Sequence, residues 1–165
     1  MEYIYLDKDL YLTNPDLYED LIYDFHNNNG SHYKKGDLNL YPAITEWGGC
    51  FVIAVENNKA VCLARIAVVY GRKTIYMLRQ IDTLPEYKGQ GIATNVVNFA
   101  CESLTKTNAT KLISAVHSGN LASIKLHTKC GFTLKEPPSY IKNDKHRFWT
   151  GALYFEKPIE KNYDL

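Results

Sequence analysis

Hydrophobic and polar residues alternate along several stretches of the chain, which is the pattern of half-buried β-strands. The alternation predicts a first strand at Glu2–Leu6 and an antiparallel meander after Gly48 and Gly49. The predicted strands of this meander are 50–55, 60–70 and 74–82. A near-continuous apolar run at Lys111–His117 predicts a further strand, buried on both faces. Short closing strands are predicted at 132–134 and 148–155, around a loop that contains Pro137 and Pro138.

Elsewhere the apolar residues recur three and four positions apart, which is the period of an amphipathic helix. The predicted helices are 15–30, 92–104 and 120–130. Thr13 or Asn14 caps the first of them, and Pro15 suits its first turn. Residues 31–46 show no period, so we predict a long loop there with at most a short helical turn.

The succession of strand, helix and buried strand between residues 74 and 117 determines the predicted fold class. Such a crossover is right-handed and places its two strands parallel to each other. We therefore predict an α+β fold, a three-layer α/β arrangement in which helices flank a mixed, mostly antiparallel sheet with one parallel pair. No repeat or linker divides the 165 residues, which suffice for one core, so a single domain spanning 1–165 is expected.

The composition excludes several classes of protein. With 45% hydrophobic and 22% charged residues, the chain is ordinary for a globular protein, and its net charge of +1 gives no general attraction for nucleic acid or membranes. No apolar stretch approaches about 18 residues and no secretion signal is evident, so a cytoplasmic protein without nucleic-acid or membrane partners is expected. The cysteines lack metal-binding spacings, which favours buried free thiols and no metal; they are Cys50, Cys62, Cys101 and Cys130.

The stretch Met77–Thr94 carries the most specific chemistry in the sequence. A strand ends there in a loop with Gly89 and Gly91, and a helix begins at Ile92. The unpaired amides of that helix N-terminus form a site for a phosphate or pyrophosphate, to which Lys88 adds positive charge. Two glycines between a strand and a helix also occur without any ligand. Neither the P-loop pattern nor a complete dinucleotide fingerprint is present, which argues against nucleotide hydrolysis and dinucleotide binding.

Two motifs resemble those of the GNAT superfamily of acyl-CoA N-acyltransferases. Lys88–Ala93 is similar to the family's pyrophosphate-binding pattern [R/Q]-x-x-G-x-[G/A], with a lysine in place of arginine or glutamine. Asn120–Phe132 resembles the later family motif, a helix that starts at an asparagine and ends in Gly-Phe. The resemblance implies a GNAT-like N-acetyltransferase domain that takes acetyl-CoA as acyl donor and an amine as acceptor, and that needs no metal.

The resemblance also implies which residues bind the donor. The backbone of the strand end would hydrogen-bond the pantetheine arm, the glycine loop would bind the pyrophosphate, and the second motif would lie beside the arm. The expected cofactor-binding residues are Ile81, Thr83, Lys88, Gly89, Gln90, Gly91, Ile92, Ala93, Thr94, Asn120 and Ser123.

Candidate catalytic residues are histidines. His127 shares a helix face with Asn120 and occupies the position where the family commonly has a tyrosine that protonates the departing thiolate. An imidazolium with a pKa near 6.5 suits that acid role, whereas the alternative is a histidine packed against the sheet. For the general base, His117 at the end of its strand is the first hypothesis, ahead of Asp82 and Glu46. The alternative for His117 is a merely structural hydrogen bond.

Three functions are compatible with these residues. The leading hypothesis is transfer of an acetyl group from acetyl-CoA to a small-molecule amine by direct attack, without a covalent enzyme intermediate. The second is acetylation of a protein N-terminus or lysine, and the third is a non-catalytic acyl-CoA-binding module. A pocket closed by residues 31–46 and 136–147 favours a small acceptor, while an open groove favours a peptide. The oligomeric state is not encoded, and a homodimer is one alternative.

Two further features bear on the acceptor. The segment 1–30 carries seven acids and a single lysine, which suits either a cationic amine or a solvated helix face. Aromatic residues near the expected acceptor pocket, or in the core, are Tyr41, Trp47, Tyr140 and Trp149.

Overall fold

A computed structural model describes residues 1–144, 148 and 151–161 of the chain, which form one seven-stranded sheet flanked by helices. The strands are β1 (Glu2–Leu6), β2 (Cys50–Glu56), β3 (Lys59–Val69), β4 (Arg72–Thr83), β5 (Lys111–His117), β6 (Thr133–Lys135) and β7 (Ala152–Pro158). The helices are α1 (Lys8–Thr13), α2 (Pro15–Asn28), α3 (Leu40–Thr45), α4 (Ile92–Leu104), α5 (Leu121–Lys129) and α6 (Ser139–Lys142). A 3₁₀ turn at Pro85–Tyr87 leads from β4 to the glycine loop.

The strand order is β1-β2-β3-β4-β5-β7-β6. β4 and β5 are parallel, and every other neighbouring pair of strands is antiparallel. The predicted mixed sheet with a parallel pair is therefore confirmed. The turn between β2 and β3 places Asn57 and Asn58 at φ of 53° and 61°, the left-handed conformation of a two-residue hairpin turn.

The pairing register assigns the side chains to the two faces of the sheet. Tyr3 of β1 and Thr83 of β4 lie in one row across the first four strands, and Asp82 lies in the next row. Consecutive residues of a strand point to opposite faces. α4 covers the face of the Tyr3 row, where the Tyr3 and Phe99 ring centroids are 5.9 Å apart. α2 packs against β3 on the opposite face, to which Asp82 points.

The core follows the predicted apolar stripes. The buried residues of α4 are Ile92, Val96, Val97, Ala100, Cys101 and Leu104. All four cysteines are buried and free, as the sequence predicts. Within the described residues, no helix combines the length and the apolar character that a bilayer crossing requires.

Two short helices and one strand boundary differ from the sequence prediction. α1 lies in a segment without a predicted element and begins where the Asp7 side chain accepts a hydrogen bond from the Leu10 amide at 2.9 Å. α6 follows Pro138 inside the predicted closing loop, and β7 begins at Ala152 instead of residue 148. These helices have six and four residues, too few for a helical period to show in the sequence. α3, in contrast, agrees with the predicted helical turn within 31–46.

Candidate active site

The sheet opens into a cleft between the parallel strands β4 and β5. Their pairing ends at Leu78 and Ser114, although β4 continues to Thr83 beside β3 and β5 continues to His117 beside β7. Beyond Leu78 and Ser114, each strand therefore has a strand neighbour on one side only among the described residues. The backbone amides and carbonyls of the other side face the cleft without a ladder partner, as at the edge of a sheet.

The glycine loop and the N-terminus of α4 border this cleft. Gly91 is the N-cap residue of α4 and has φ 78° and ψ 8°, in the left-handed region that residues with a Cβ rarely adopt. Within the part of the chain that the structure describes, no side chain caps the helix, so its first-turn amides keep their hydrogen-bonding capacity for another partner. These amides, the positive end of the helix dipole and the exposed Lys88 together favour an anion in the cleft.

The cleft has a volume of about 430 Å³ and contains nearly the whole predicted cofactor set. The predicted residues that line it are Ile81, Thr83, Lys88, Gly89, Gly91, Ile92, Ala93, Thr94, Asn120 and Ser123. Gln90 is the exception, because it does not line the cleft and its Nε2 instead donates to the Glu86 carbonyl at 3.4 Å. Asn120 also caps α5, where its Oδ1 accepts from the Ser123 amide at 3.1 Å.

His127 lies behind the cleft wall and does not line the cleft. Its side chain is 2% exposed. Nδ1 lies 2.7 Å from the Ser123 carbonyl oxygen, which can only accept, so Nδ1 carries the proton. Nε2 then accepts from the Ser114 hydroxyl at 2.8 Å. Burial lowers the pKa of His127, and the bond to the Ser123 carbonyl opposes that shift only in part. The imidazole is therefore neutral near pH 7, and its surroundings are those of a histidine packed against the sheet.

His117 lies at the end of β5 with an exposed side chain. Its Nδ1 accepts a hydrogen bond from the Gly119 amide at 3.0 Å. His117 does not line the cleft, and it does not line a second cavity that lies on the opposite face of β4. The catalytic roles of His127 and His117 stay predictions.

A second cavity of about 400 Å³, which we call the polar pocket, lies on the opposite face of β4. Its lining consists of His26, Asn29, Ser31, Tyr33, Asp37, Leu38, Asn39, Leu40, Ala43, Trp47, Phe51, Arg65, Gln80 and Asp82. Asp82 also lines the cleft, so this one residue borders both cavities. The segment 31–46 contributes much of the lining.

The polar pocket concentrates ionisable groups around Asp82. Asp82 Oδ2 accepts a hydrogen bond from Gln80 Nε2 at 2.8 Å. Burial lowers the pKa of His26; the Asp82 carboxylate opposes this shift, and the Arg65 guanidinium reinforces it. A half-buried imidazole that is neutral near pH 7 can accept a proton, and carboxylates beside it can hold a cation.

Several pocket residues are not predicted by the sequence. His26, Asp37 and Gln80 are new, whereas Asp82 is one of the candidate bases. The alternation of β4 could have predicted part of this pocket. Gln80 and Asp82 alternate with Ile81 and Thr83, so their side chains are expected on the other face of the sheet. Glu46, the other candidate base, is exposed and lines a groove beside the pocket.

The aromatic residues expected near the acceptor have different positions. Trp47 lines the polar pocket, whereas Tyr41 is exposed outside it. Tyr140 packs against Arg72, whose guanidinium carbon lies 4.3 Å from the ring centroid. Trp149 lies outside the described residues.

Comparison with known proteins agrees with this fold. A sequence profile of the Acetyltransferase (GNAT) family matches residues 14–132. The structure is similar to that of the ribosomal-protein-S18-alanine N-acetyltransferase from Escherichia coli, with 18% identity, a TM-score of 0.64 and 99% of each chain covered. Tetrahymena GCN5 shows 16% identity and a TM-score of 0.67 over 100% of both chains. Nourseothricin acetyltransferase shows 19% identity and a TM-score of 0.54, over 68% of this chain and 66% of its own. These likenesses show a shared fold, and a search among curated proteins finds no significant match.

Proposed function

The chain belongs to the acetyltransferase (GNAT) family, and we propose that it transfers an acetyl group from acetyl-CoA to a primary amine. The amine attacks the thioester directly, without a covalent enzyme intermediate. The observation that carries this proposal is the position of Asp82, which borders both the cleft and the polar pocket. An acyl donor in the cleft and an amine in the pocket would thus meet at one strand.

The cleft residues fit the donor. Acetyl-CoA supplies an acetyl group activated as a thioester. The first-turn amides of α4 and the Lys88 ammonium suit its pyrophosphate. The unpaired backbone of β4 around Ile81 and Thr83 suits an extended arm that hydrogen-bonds as a strand would, and Asn120 borders the cleft on the α5 side.

The polar pocket fits an amine acceptor. An amine enters as an ammonium ion near pH 7, and the Asp37 and Asp82 carboxylates suit its charge. It must lose a proton before it attacks. His26 lines the same pocket in its neutral form, so we assign the proton-accepting role to His26, directly or through water. His117, the first hypothesis for the base, lies outside the pocket lining.

His127 has a positioning role in this proposal. Ser114, its partner on β5, belongs to the last parallel pair before the cleft opens. The hydrogen bond from Ser114 therefore fixes α5, which carries Asn120 and Ser123, at the apex of the cleft. A neutral imidazole that already accepts this bond at Nε2 is poorly suited to give a proton to a thiolate.

The alternatives differ in their acceptor. Nourseothricin acetyltransferase and the S18-alanine N-acetyltransferase share the fold, so the fold does not select between a small molecule and a polypeptide. A non-catalytic acyl-CoA-binding module would bind CoA without amine-dependent release of the thiol.

Asp82→Asn tests the proposal. Loss of the carboxylate that borders both cavities should lower kcat/KM for the amine about ten- to a hundredfold, while the Kd for CoA stays within about twofold of wild type. Thiol release and calorimetry measure the two quantities. Asp16→Asn is the matched control, because Asp16 is exposed on α2, pairs with Lys35 and lines neither cavity. Wild-type kcat/KM in Asp82→Asn would contradict the proposal.

A further inference from the structure

A groove continues from the polar pocket along β3 and β4. It has a volume of about 750 Å³ and shares the wall residues Ala43, Trp47, Phe51 and Arg65 with the pocket. From Arg65 it follows β3 to Val69 and reaches the turn between β3 and β4 at Tyr70. We call this cavity the strand groove.

The strand groove is positively charged. Arg65, Lys73 and Arg79 line it and are exposed, while Glu46 is the one carboxylate in the lining formed by the described residues. Within the described part of the chain, neither Arg65 nor Lys73 forms an ion pair with a carboxylate. Arg65 and Lys73 therefore offer positive charge beside the polar pocket without an ion-pair partner among the described residues, and this charge attracts acidic groups.

Two large aromatic side chains are exposed along the same groove. Trp47, at its junction with the pocket, is 58% exposed, and Tyr70, at its far end, is 86% exposed. Tryptophan, tyrosine and arginine are the residues that most often carry binding energy at protein interfaces. Their placement at both ends of the groove indicates a ligand that runs along its length.

The length of the groove fits an extended polypeptide. The segment Arg65–Val69 spans roughly 13 Å at about 3.3 Å per strand residue, which corresponds to about four residues of an extended chain. A small amine needs only the polar pocket, whose volume of about 400 Å³ is in the range of small-molecule sites.

We propose that the strand groove binds acidic residues of a polypeptide whose amine occupies the polar pocket. This inference rests on the proposed function and names its acceptor class. Arg65 lies at the junction of the two cavities and would face the residue of the polypeptide that carries the amine, or its neighbour. Lys73 would face a side chain farther along the bound polypeptide. A basic polypeptide is repelled by the same charges.

Synthetic hexapeptides test this inference with the full-length protein. One series has a free N-terminus and no lysine; the other has a blocked N-terminus and one lysine. In each series the neighbouring residues are acidic, neutral or arginine. We expect kcat/KM for the acidic members of the accepted series to exceed that for the neutral members about tenfold, mainly through KM. The advantage should shrink as ionic strength rises, because exposed charge pairs are screened.

Lys73→Glu supplies the mutational arm. Charge reversal should raise KM for the acidic peptide about five- to tenfold, with kcat little changed. Lys106→Glu is the matched control, because Lys106 is also exposed, follows α4 and lines neither the pocket nor the strand groove. An equal effect of both substitutions would contradict the inference.

The outcomes separate this inference from the proposed function. Three outcomes would overturn the inference and leave the acetyltransferase proposal intact. These are turnover of peptides regardless of their charge, a preference for arginine peptides, and turnover of small amines alone. Absence of turnover with every peptide and every small amine would overturn both.

Discussion

At the scale of single residues, His127 connects α5 to β5 beside the cleft. Its Nε2 accepts from Ser114 at the apex of the cleft, and its Nδ1 donates to the Ser123 carbonyl within α5. The Phe132 and Phe155 rings pack around the imidazole, with centroids 5.0 and 5.3 Å away. The sequence predicts a functional residue at this position, but its hydrogen-bond partners depend on the packing of α5 on β5, which the sequence pattern does not give.

His127→Phe should therefore reduce stability. The substitution removes the hydrogen bonds of the imidazole to Ser123 and Ser114 and leaves the buried Ser114 hydroxyl without a partner, which costs about 1–3 kcal/mol of the free energy of unfolding. Ser114→Ala added to the same chain should recover part of this loss, because it removes the unsatisfied group. Urea unfolding measures all three chains. A His127→Phe variant as stable as wild type would contradict the positioning role.

The pH dependence of stability gives an independent readout of the same variant. Burial lowers the pKa of His127 in the folded chain, so the unfolded chain binds more protons between that pKa and about 6.5. The contribution of this pKa shift to the free energy of unfolding is thus fully present above about pH 6.5, and it is lost as the pH decreases through this window. In His127→Phe, the free energy of unfolding should therefore depend less steeply on pH in this window. The remaining slope is due to His26, whose pKa is also lowered by burial.

At the scale of elements, β4 organises the candidate active site. Ile81 and Thr83 line the cleft, whereas Gln80 lines the pocket on the other face and Asp82 borders both cavities. The strand could be predicted from its alternation, and the glycine loop from its local motif. The pocket could not, because His26 and Arg65 come to line the same cavity as Asp82 only after α2 and β3 have packed against one another.

Gly91→Ala tests the assigned role of the α4 N-terminus. A Cβ at φ 78° costs about 1–2 kcal/mol, and relief of this strain shifts the amides that border the cleft. We expect the Kd for CoA to rise about tenfold, as measured by calorimetry. Gly71→Ala is the matched control, because Gly71 has φ 74°, has open space where a Cβ would lie and is part of the turn between β3 and β4. A similar change of Kd in both variants would show that backbone strain alone, without the anion site, explains the effect.

At the scale of the whole molecule, the local distribution of charge says more about the candidate binding sites than the net charge does. The acid-rich segment 1–30 forms solvated contacts, such as those of Asp16 and Asp20 with Lys35. None of its carboxylates belongs to the described lining of the polar pocket. The carboxylates of that pocket are Asp37 and Asp82. The sequence motifs thus predicted the fold and most of the residues that line the cleft, while the polar pocket depends on residues that only the folded sheet brings together.

The most direct test of the account is amine-dependent turnover of acetyl-CoA by the full-length protein. Thiol release would be followed against small amines and the hexapeptides, with mass spectrometry of the products and calorimetric CoA binding in parallel. We predict saturable release that requires an amine and yields the acetylated amine. CoA binding without amine-dependent release on the whole panel would contradict catalysis and favour the binding module. Failure to bind CoA would contradict the assignment of the cleft itself.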